Sequence, residues 1–159
     1  MDNVEPTPVE VFELSVNLDD VTPEVLGHTQ QKLLEAGALD VWTTAIGMKK
    51  QRPGVMLSLL CTPAQRDAMA RQVLELTGTF GVRFRPWGRL ILQRRHEKVG
   101  TPYGTVRLKI GYLNDRILAV RPEFEDLVDL AHRAGVPTQL VQDAAQAAAQ
   151  QWRQDQGST

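Results

Sequence analysis

From Val11 to Leu18 the chain reads VFELSVNL, with Phe12, Leu14, Val16 and Leu18 on one face and Glu13, Ser15 and Asn17 on the other. That period of two predicts a strand with one buried side. Thr22 then offers an N-cap, Pro23 a first helical residue and Glu24 an acid for the first turn. A helix is predicted through EVLGHTQQKLLEA up to Gly37, which suits a left-handed C-terminal cap. DVWTTAIG follows, rich in β-branched and bulky residues, then the turn segment MKKQRPG and the apolar strand VMLSLLC.

The opening pattern then returns. Thr62-Pro63-Ala64-Gln65 repeats the Thr-Pro start of residues 22–25, and a helix is predicted over AQRDAMARQVLELTG, with Val73, Leu74 and Leu76 on its apolar side. A fourth strand is expected near GVRFRPW. The order strand, helix, strand, strand, helix, strand is the split βαβ, or ferredoxin-like, arrangement, which packs two helices on one face of a four-stranded antiparallel sheet. Three more strand candidates follow, RLILQRR, GTVRLKIGY and RILAVR, the last two joined by the turn signal LNDR. Pro122 opens a predicted helix PEFEDLVDLAHRA, closed by Gly135, and Thr138 caps a final Ala- and Gln-rich helix with a fraying end. The expected class is α+β: a flexible N-terminus at 1–10, a ferredoxin-like core at 11–97, an added β-hairpin at 98–121 and a helical tail at 122–159, in a single domain.

Composition agrees with one domain, since 159 residues with 42% hydrophobic positions can bury a real core. No run approaches a membrane span, and the acidic start MDNVEPTPVE lacks the regions of a signal peptide, so a cytoplasmic protein is expected. A single cysteine, Cys61, excludes an internal disulfide framework and a multi-thiolate zinc cage. Its apolar setting, GVMLSLLC, marks a buried strand residue rather than a nucleophile.

Charge changes the picture more. The net charge is only -1, yet residues 1–24 hold seven acids and no Lys or Arg, whereas residues 83–98 hold six Lys or Arg against Glu97 alone. Such separation fits a polyanionic partner at a local patch, or a solvated strand face. Asp19 and Asp20 end the first strand. They either complement the positive end of the following helix or hold a hard divalent ion, which with a nucleotide needs only one or two protein carboxylates. Lys49, Lys50 and Arg52 fall in the predicted hairpin loop, where a point charge and a bidentate fork suit a triphosphate; the P-loop pattern is absent. Arg94, Arg95, Lys98 and Lys109 form a second cationic set. Tyr103 offers a stacking ring but sits in Thr101-Pro102-Tyr103-Gly104, which reads more simply as a turn. His28, His96 and His132 show no metal-binding spacing, and Glu123, Glu125 and Asp126 stand at another helix start. No nucleophilic triad order or CxxC occurs, and no catalytic residue is assigned.

Five segments, VNLDDVTPE, KLLEAGALDVW, MKKQRPGV, VGTPYGTVRLKI and RPEFEDLVDLAHRAGVP, resemble in that order the C-terminal part of the LarC family, nickel-insertion proteins of nickel-pincer nucleotide cofactor biosynthesis. The resemblance covers about residues 11–141. It implies a CTP-dependent nickel chelatase (cyclometallase) of the lyase class that inserts Ni²⁺ into pyridinium-3,5-bisthiocarboxylic acid mononucleotide. CTP is the co-substrate, Mn²⁺ or Mg²⁺ is required, and the product serves lactate racemase and related enzymes. It also implies that this portion binds CTP; on the residues present, Asp19 and Asp20 are then expected to hold the ion and Lys49, Lys50, Arg52, Arg94 and Lys109 to neutralise phosphates. The family carries a large N-terminal region before this one, often with a histidine-rich stretch. Neither is present here, where there are three scattered histidines, so activity is expected with an N-terminal LarC-like half in trans.

The alternative is a non-catalytic ferredoxin-like module for nucleotide sensing or assembly, since such folds host many functions. RNA binding through the basic strand fits less well, because 6% aromatic residues leave few rings for base stacking. Open sheet edges make a homo-oligomer plausible.

Overall fold

The computed structural model describes residues 8–157. Its first compact unit runs from Pro8 to Leu90 and has the predicted order: β1 (Pro8–Leu18), α1 (Pro23–Glu35), β2 (Asp40–Met48), β3 (Arg52–Cys61), α2 (Arg66–Thr77) and β4 (Arg83–Leu90). The four strands lie in the order β2-β3-β1-β4, with antiparallel pairings, as the split βαβ pattern requires. The even positions of β1 and the odd positions of β3 face the helices. Leu14, Val16, Leu18, Leu57, Leu59 and Cys61 are buried there against Leu33 of α1 and Met69 and Val73 of α2. Each fully buried side chain of this size contributes about 1.5–3 kcal/mol. Leu74, expected on the apolar side of α2, is 37% exposed, and Met69 packs in the core instead.

Local chemistry fixes the helix ends. Thr22 Oγ1 accepts the Val25 amide at 3.4 Å, with Pro23 in the first turn. At the repeat, Thr62 and Gln65 form a reciprocal capping box across a 3-10 turn, Pro63–Gln65, that leads into α2. Gly78, at φ 68°, closes α2 in the left-handed conformation that glycine adopts without penalty. Strand β4 tolerates Pro86 because it is an edge strand, where a missing N–H disturbs no central ladder.

The expected division of the chain differs from this arrangement in two places. Residues 8–10, read as flexible N-terminus, belong to β1, with Pro8 opposite Leu90; residues 1–7 of that segment lie outside the described residues. The candidate RLILQRR is not one strand: its first residues end β4 and its last begin β5 (Gln93–Thr101). β5 pairs with β6 (Gly104–Leu113), and β6 with β7 (Arg116–Pro122), in a separate three-stranded antiparallel sheet. The predicted hairpin is thus the last two strands of that sheet.

This second unit, from Ile91 onward, also contains α3 (Phe124–Ala134) and α4 (Thr138–Gly157). Val106, Leu108 and Ile110 of β6 are fully buried, beside Leu127 and Ala131 of α3 and Val141, Ala145 and Ala149 of α4. The alanines let α4 approach closely. Helix α3 starts two residues later than the sequence suggested, since Pro122 ends β7 and Glu123 takes the N-cap position. No helix among the described residues is long and apolar enough to cross a membrane.

Candidate functional site

Asp19 follows the last ladder pair of β1 with β3, Leu18 opposite Val55, which sets it beside the start of β3. The Arg52 guanidinium donates to Asp19 Oδ2 at 3.0 Å. Helix α1 takes its cap from Thr22, and no helix amide donates to Asp19 or Asp20 among the described residues. Both residues are exposed, although the Asp19 side chain is only 24% accessible under Arg52, and Asp20 has no hydrogen-bond or ion-pair partner among those residues. Neither carboxylate caps α1 by hydrogen bonding among the described residues, and both stay within reach of its positive N-terminal end.

The β2–β3 hairpin brings the cations to this end of the sheet. Lys49–Gln51 form a 3-10 turn in which Lys50 (φ 62°) and Gln51 (φ 59°) both take left-handed backbone conformations. Neither residue is glycine, so each such conformation stores about 1 kcal/mol or more, a pattern enriched at working loops. Lys49 and Lys50 are exposed and unpaired among the described residues. Gly54 lets the strands close: a Cβ there would lie 2.9 Å from the Leu18 carbonyl oxygen and 2.6 Å from Met48 Sδ. The chain thus has two adjacent carboxylates, one held by an arginine, at the same sheet end as two bare ammonium groups.

The remaining predicted cations are in the second unit. Arg94, His96 and Lys98 alternate along β5, and register sets them opposite Gly111, Lys109 and Arg107 of β6, with Arg121 of β7 opposite Lys109. The face away from the helices is therefore basic. Arg94 is exposed without a partner among the described residues. Lys109 is not bare: its Nζ lies 2.8 Å from Glu123 Oε1, which His96 Nε2 also reaches at 3.0 Å. The Lys109 ammonium, seconded by His96, holds the Glu123 carboxyl below its ordinary value. Arg107 grips Asp126 with its guanidinium at 2.7 Å and its own amide at 2.7 Å, and lowers that carboxyl likewise. The acids of PEFED therefore serve mainly as partners for β6. Arg107 and Arg121 escaped the sequence reading, although their alternation with Val106, Leu108 and Val120 was visible.

Other candidates resolve locally. Tyr103 packs on the cluster around Val106, in a turn where its amide donates to Thr101 Oγ1 at 3.2 Å. Cys61 is fully buried, and burial pushes its thiol up. Among the described residues no three His, Cys, Asp or Glu side chains gather as a metal cage.

A sequence profile described as nickel insertion protein matches residues 2–142. The chain belongs to the nickel insertion protein family. A relative in Myxococcus xanthus, named for nickel insertion, is 45% identical over 135 residues, covering 85% of this chain and 35% of its own length. One in Rippkaea orientalis is 41% identical over 145 residues, with 89% and 35% covered. The chain thus spans about a third of the length of these family members. Among solved structures it resembles the apo form of the LarC C-terminal domain, from a cyclometallase involved in synthesis of the NPN cofactor of lactate racemase. The TM-score is 0.84 at 39% identity, over 91% of this chain and 99% of that one. A protein of Methanopyrus kandleri matches at TM-score 0.64 and 28% identity, over 91% of both chains.

Proposed function

We propose that this chain is the metal–nucleotide-binding part of a nickel insertase. The reaction consumes CTP, takes Ni²⁺ as cargo, and metallates pyridinium-3,5-bisthiocarboxylic acid mononucleotide to give the nickel-pincer nucleotide. The observation that carries the reading is the Asp19–Arg52 pair, with Asp20 adjacent and Lys49 and Lys50 on the same hairpin. The donor set fits Mn²⁺ or Mg²⁺, hard ions that complete their shells with phosphate oxygens and water. When bound, such an ion supplies charge neutralisation for the triphosphate. Asp19 and Asp20 would hold it. The Asp19 carboxylate, paired with Arg52 in this structure, would be one of the two groups to hold the ion, and the Arg52 fork, with Lys49 and Lys50, would suit phosphate oxygens. On the second unit, taken by itself, Arg94 and Lys109 would each present positive charge to a phosphate, Lys109 being paired with Glu123. The region that the longer relatives carry provides the rest of the reaction, and the working form is a homo-oligomer.

Calorimetric titration with CTP, with and without Mn²⁺, tests the reading. Binding is expected to strengthen with Mn²⁺ and to weaken in the Lys49→Ala/Lys50→Ala double variant. Equal binding by that variant would refute the hairpin's role. CTP that binds but is never consumed, with nickel, organic substrate and the remaining region supplied, would favour the non-catalytic module instead.

A further inference from the structure

The sheet of the first unit has two edge strands, and only one of them is defended. Strand β4 carries Arg83, Arg85 and Arg89 with Pro86 among them, the charge and proline that keep an exposed edge from pairing with a foreign strand. Strand β2 has neither. Between Asp40 and Lys49 its sequence VWTTAIGM holds no charge and no proline, and its register with β3 runs unbroken from Asp40 to Met48, without a bulge to twist the edge away. Thr43, Thr44, Ala45 and Gly47 are exposed, and Trp42 and Ile46 are half-buried on the face away from the helices. Nine residues at about 3.4 Å each present a row of edge N–H and C=O groups about 30 Å long.

The ends of this edge specify what covers it. Their charges have opposite signs: Asp40 at the start, which accepts from the Val41 amide and has no cation partner among the described residues, and the unpaired Lys49 and Lys50 at the finish. A copy of the same strand laid antiparallel brings each acid to the other's ammonium groups, whereas a parallel copy would set like charges together. Two-fold symmetry within one sheet requires opposed side chains to share a face, so the axis must pass through a residue. Through Thr44 it pairs Thr44 with itself and Trp42 with Ile46 on one face, and Val41 with Gly47 and Thr43 with Ala45 on the other. Aromatic against β-branched and threonine against threonine are favourable cross-strand pairs. We propose that β2 is an interface between two copies of this chain, joined antiparallel about Thr44 so that their four-stranded sheets become one, with Asp40 of each copy beside Lys49 and Lys50 of the other. The inference supplies a contact for the homo-oligomer of the proposed function and rests on that part of it alone, since the pairing needs neither nucleotide nor metal.

The test is sedimentation of the unaltered chain, of Asp40→Lys, of Lys49→Asp/Lys50→Asp, and of an equimolar mixture of the two variants, all without CTP or metal. The unaltered chain should sediment as a dimer or a multiple of one. Each variant alone sets like charges across the seam and should fall to half that size. The mixture should recover the full size, because each reversed charge then meets its opposite, a rescue that misfolded variants could not show. Thr44→Cys should also cross-link into a covalent dimer under glutathione disulfide, whereas Glu75→Cys, on an exposed position of α2, should not. Full-size assembly by both variants overturns the seam and leaves an oligomer formed through another face. Variants of half size that mixing does not restore overturn it as well. A monomeric unaltered chain overturns both the seam and the homo-oligomer, whatever its metal–nucleotide binding. Assembly rescued by mixing, in a chain without Mn²⁺-dependent CTP binding, would keep the seam and reject the metal–nucleotide site.

Discussion

Gly54→Ala probes the strand approach that positions Asp19. The new methyl would sit 2.6 Å from Met48 Sδ, which can swing away, and 2.9 Å from the Leu18 carbonyl oxygen, which is main chain and cannot. Relief requires β1 and β3 to part locally, and overpacking of this kind costs about 1–3 kcal/mol. Replacing glycine within a strand returns roughly 0.5–1 kcal/mol, so a net loss of about 1–2 kcal/mol is expected. The control is Gly47→Ala on the neighbouring strand, where nothing lies within 4 Å and only the propensity gain applies. Urea unfolding followed by Trp42 and Trp87 emission, with Trp152 replaced by Phe, reads the first unit. With a slope near 1–3 kcal/mol/M, the midpoint should fall by about 0.5–1 M for Gly54→Ala. Because the shifted carbonyl immediately precedes Asp19, Mn²⁺-dependent CTP binding should weaken as well. Equal midpoints for the two alanine variants would refute the reasoning.

Lys50→Gly should stabilise the protein by about 1 kcal/mol by relieving left-handed strain, yet weaken CTP binding; thermal melts and calorimetry read the two effects. Arg52→Gln should tighten Mn²⁺ binding without nucleotide, since a competing cation leaves Asp19, but weaken CTP; little stability should be lost, because exposed ion pairs contribute about 0–1 kcal/mol. Glu123 and Asp126 have carboxyls held below their ordinary values by Lys109 with His96 and by Arg107. Their stabilisation is therefore full above the unfolded-state values and is lost as pH falls through the folded-state ones. Trp152 emission should report acid unfolding of the second unit, and Glu123→Gln with Asp126→Asn should flatten the dependence below about pH 4.5.

Much of the fold was legible because local signals agreed with it. The alternation in VFELSVNL gave β1 its buried face, and the two Thr-Pro starts marked the helices of the repeat. The break at Ile91–Leu92 was not legible, since no glycine or proline marks it, while Pro86 and Gly88 inside β4 look like terminators and are tolerated at an edge. The chemistry divides similarly. Residue types at Asp19, Lys49 and Arg52 could be read locally. The Asp19–Arg52 contact could not, because 33 residues separate the partners and only the β1–β3 register joins them. Nor could spacing reveal that Glu123 occupies Lys109, or that Glu13 meets Trp87 from 74 residues away.

The proposed hold of Asp19 on a divalent ion is tested most directly by the paramagnetic resonance signal of free Mn²⁺, recorded with CTP for the unaltered chain and for Asp19→Asn. Loss of the free-ion signal on adding the unaltered chain, with most of it restored for Asp19→Asn, is expected. Identical uptake by both proteins would mean that this carboxylate holds no metal and that its only partner is arginine.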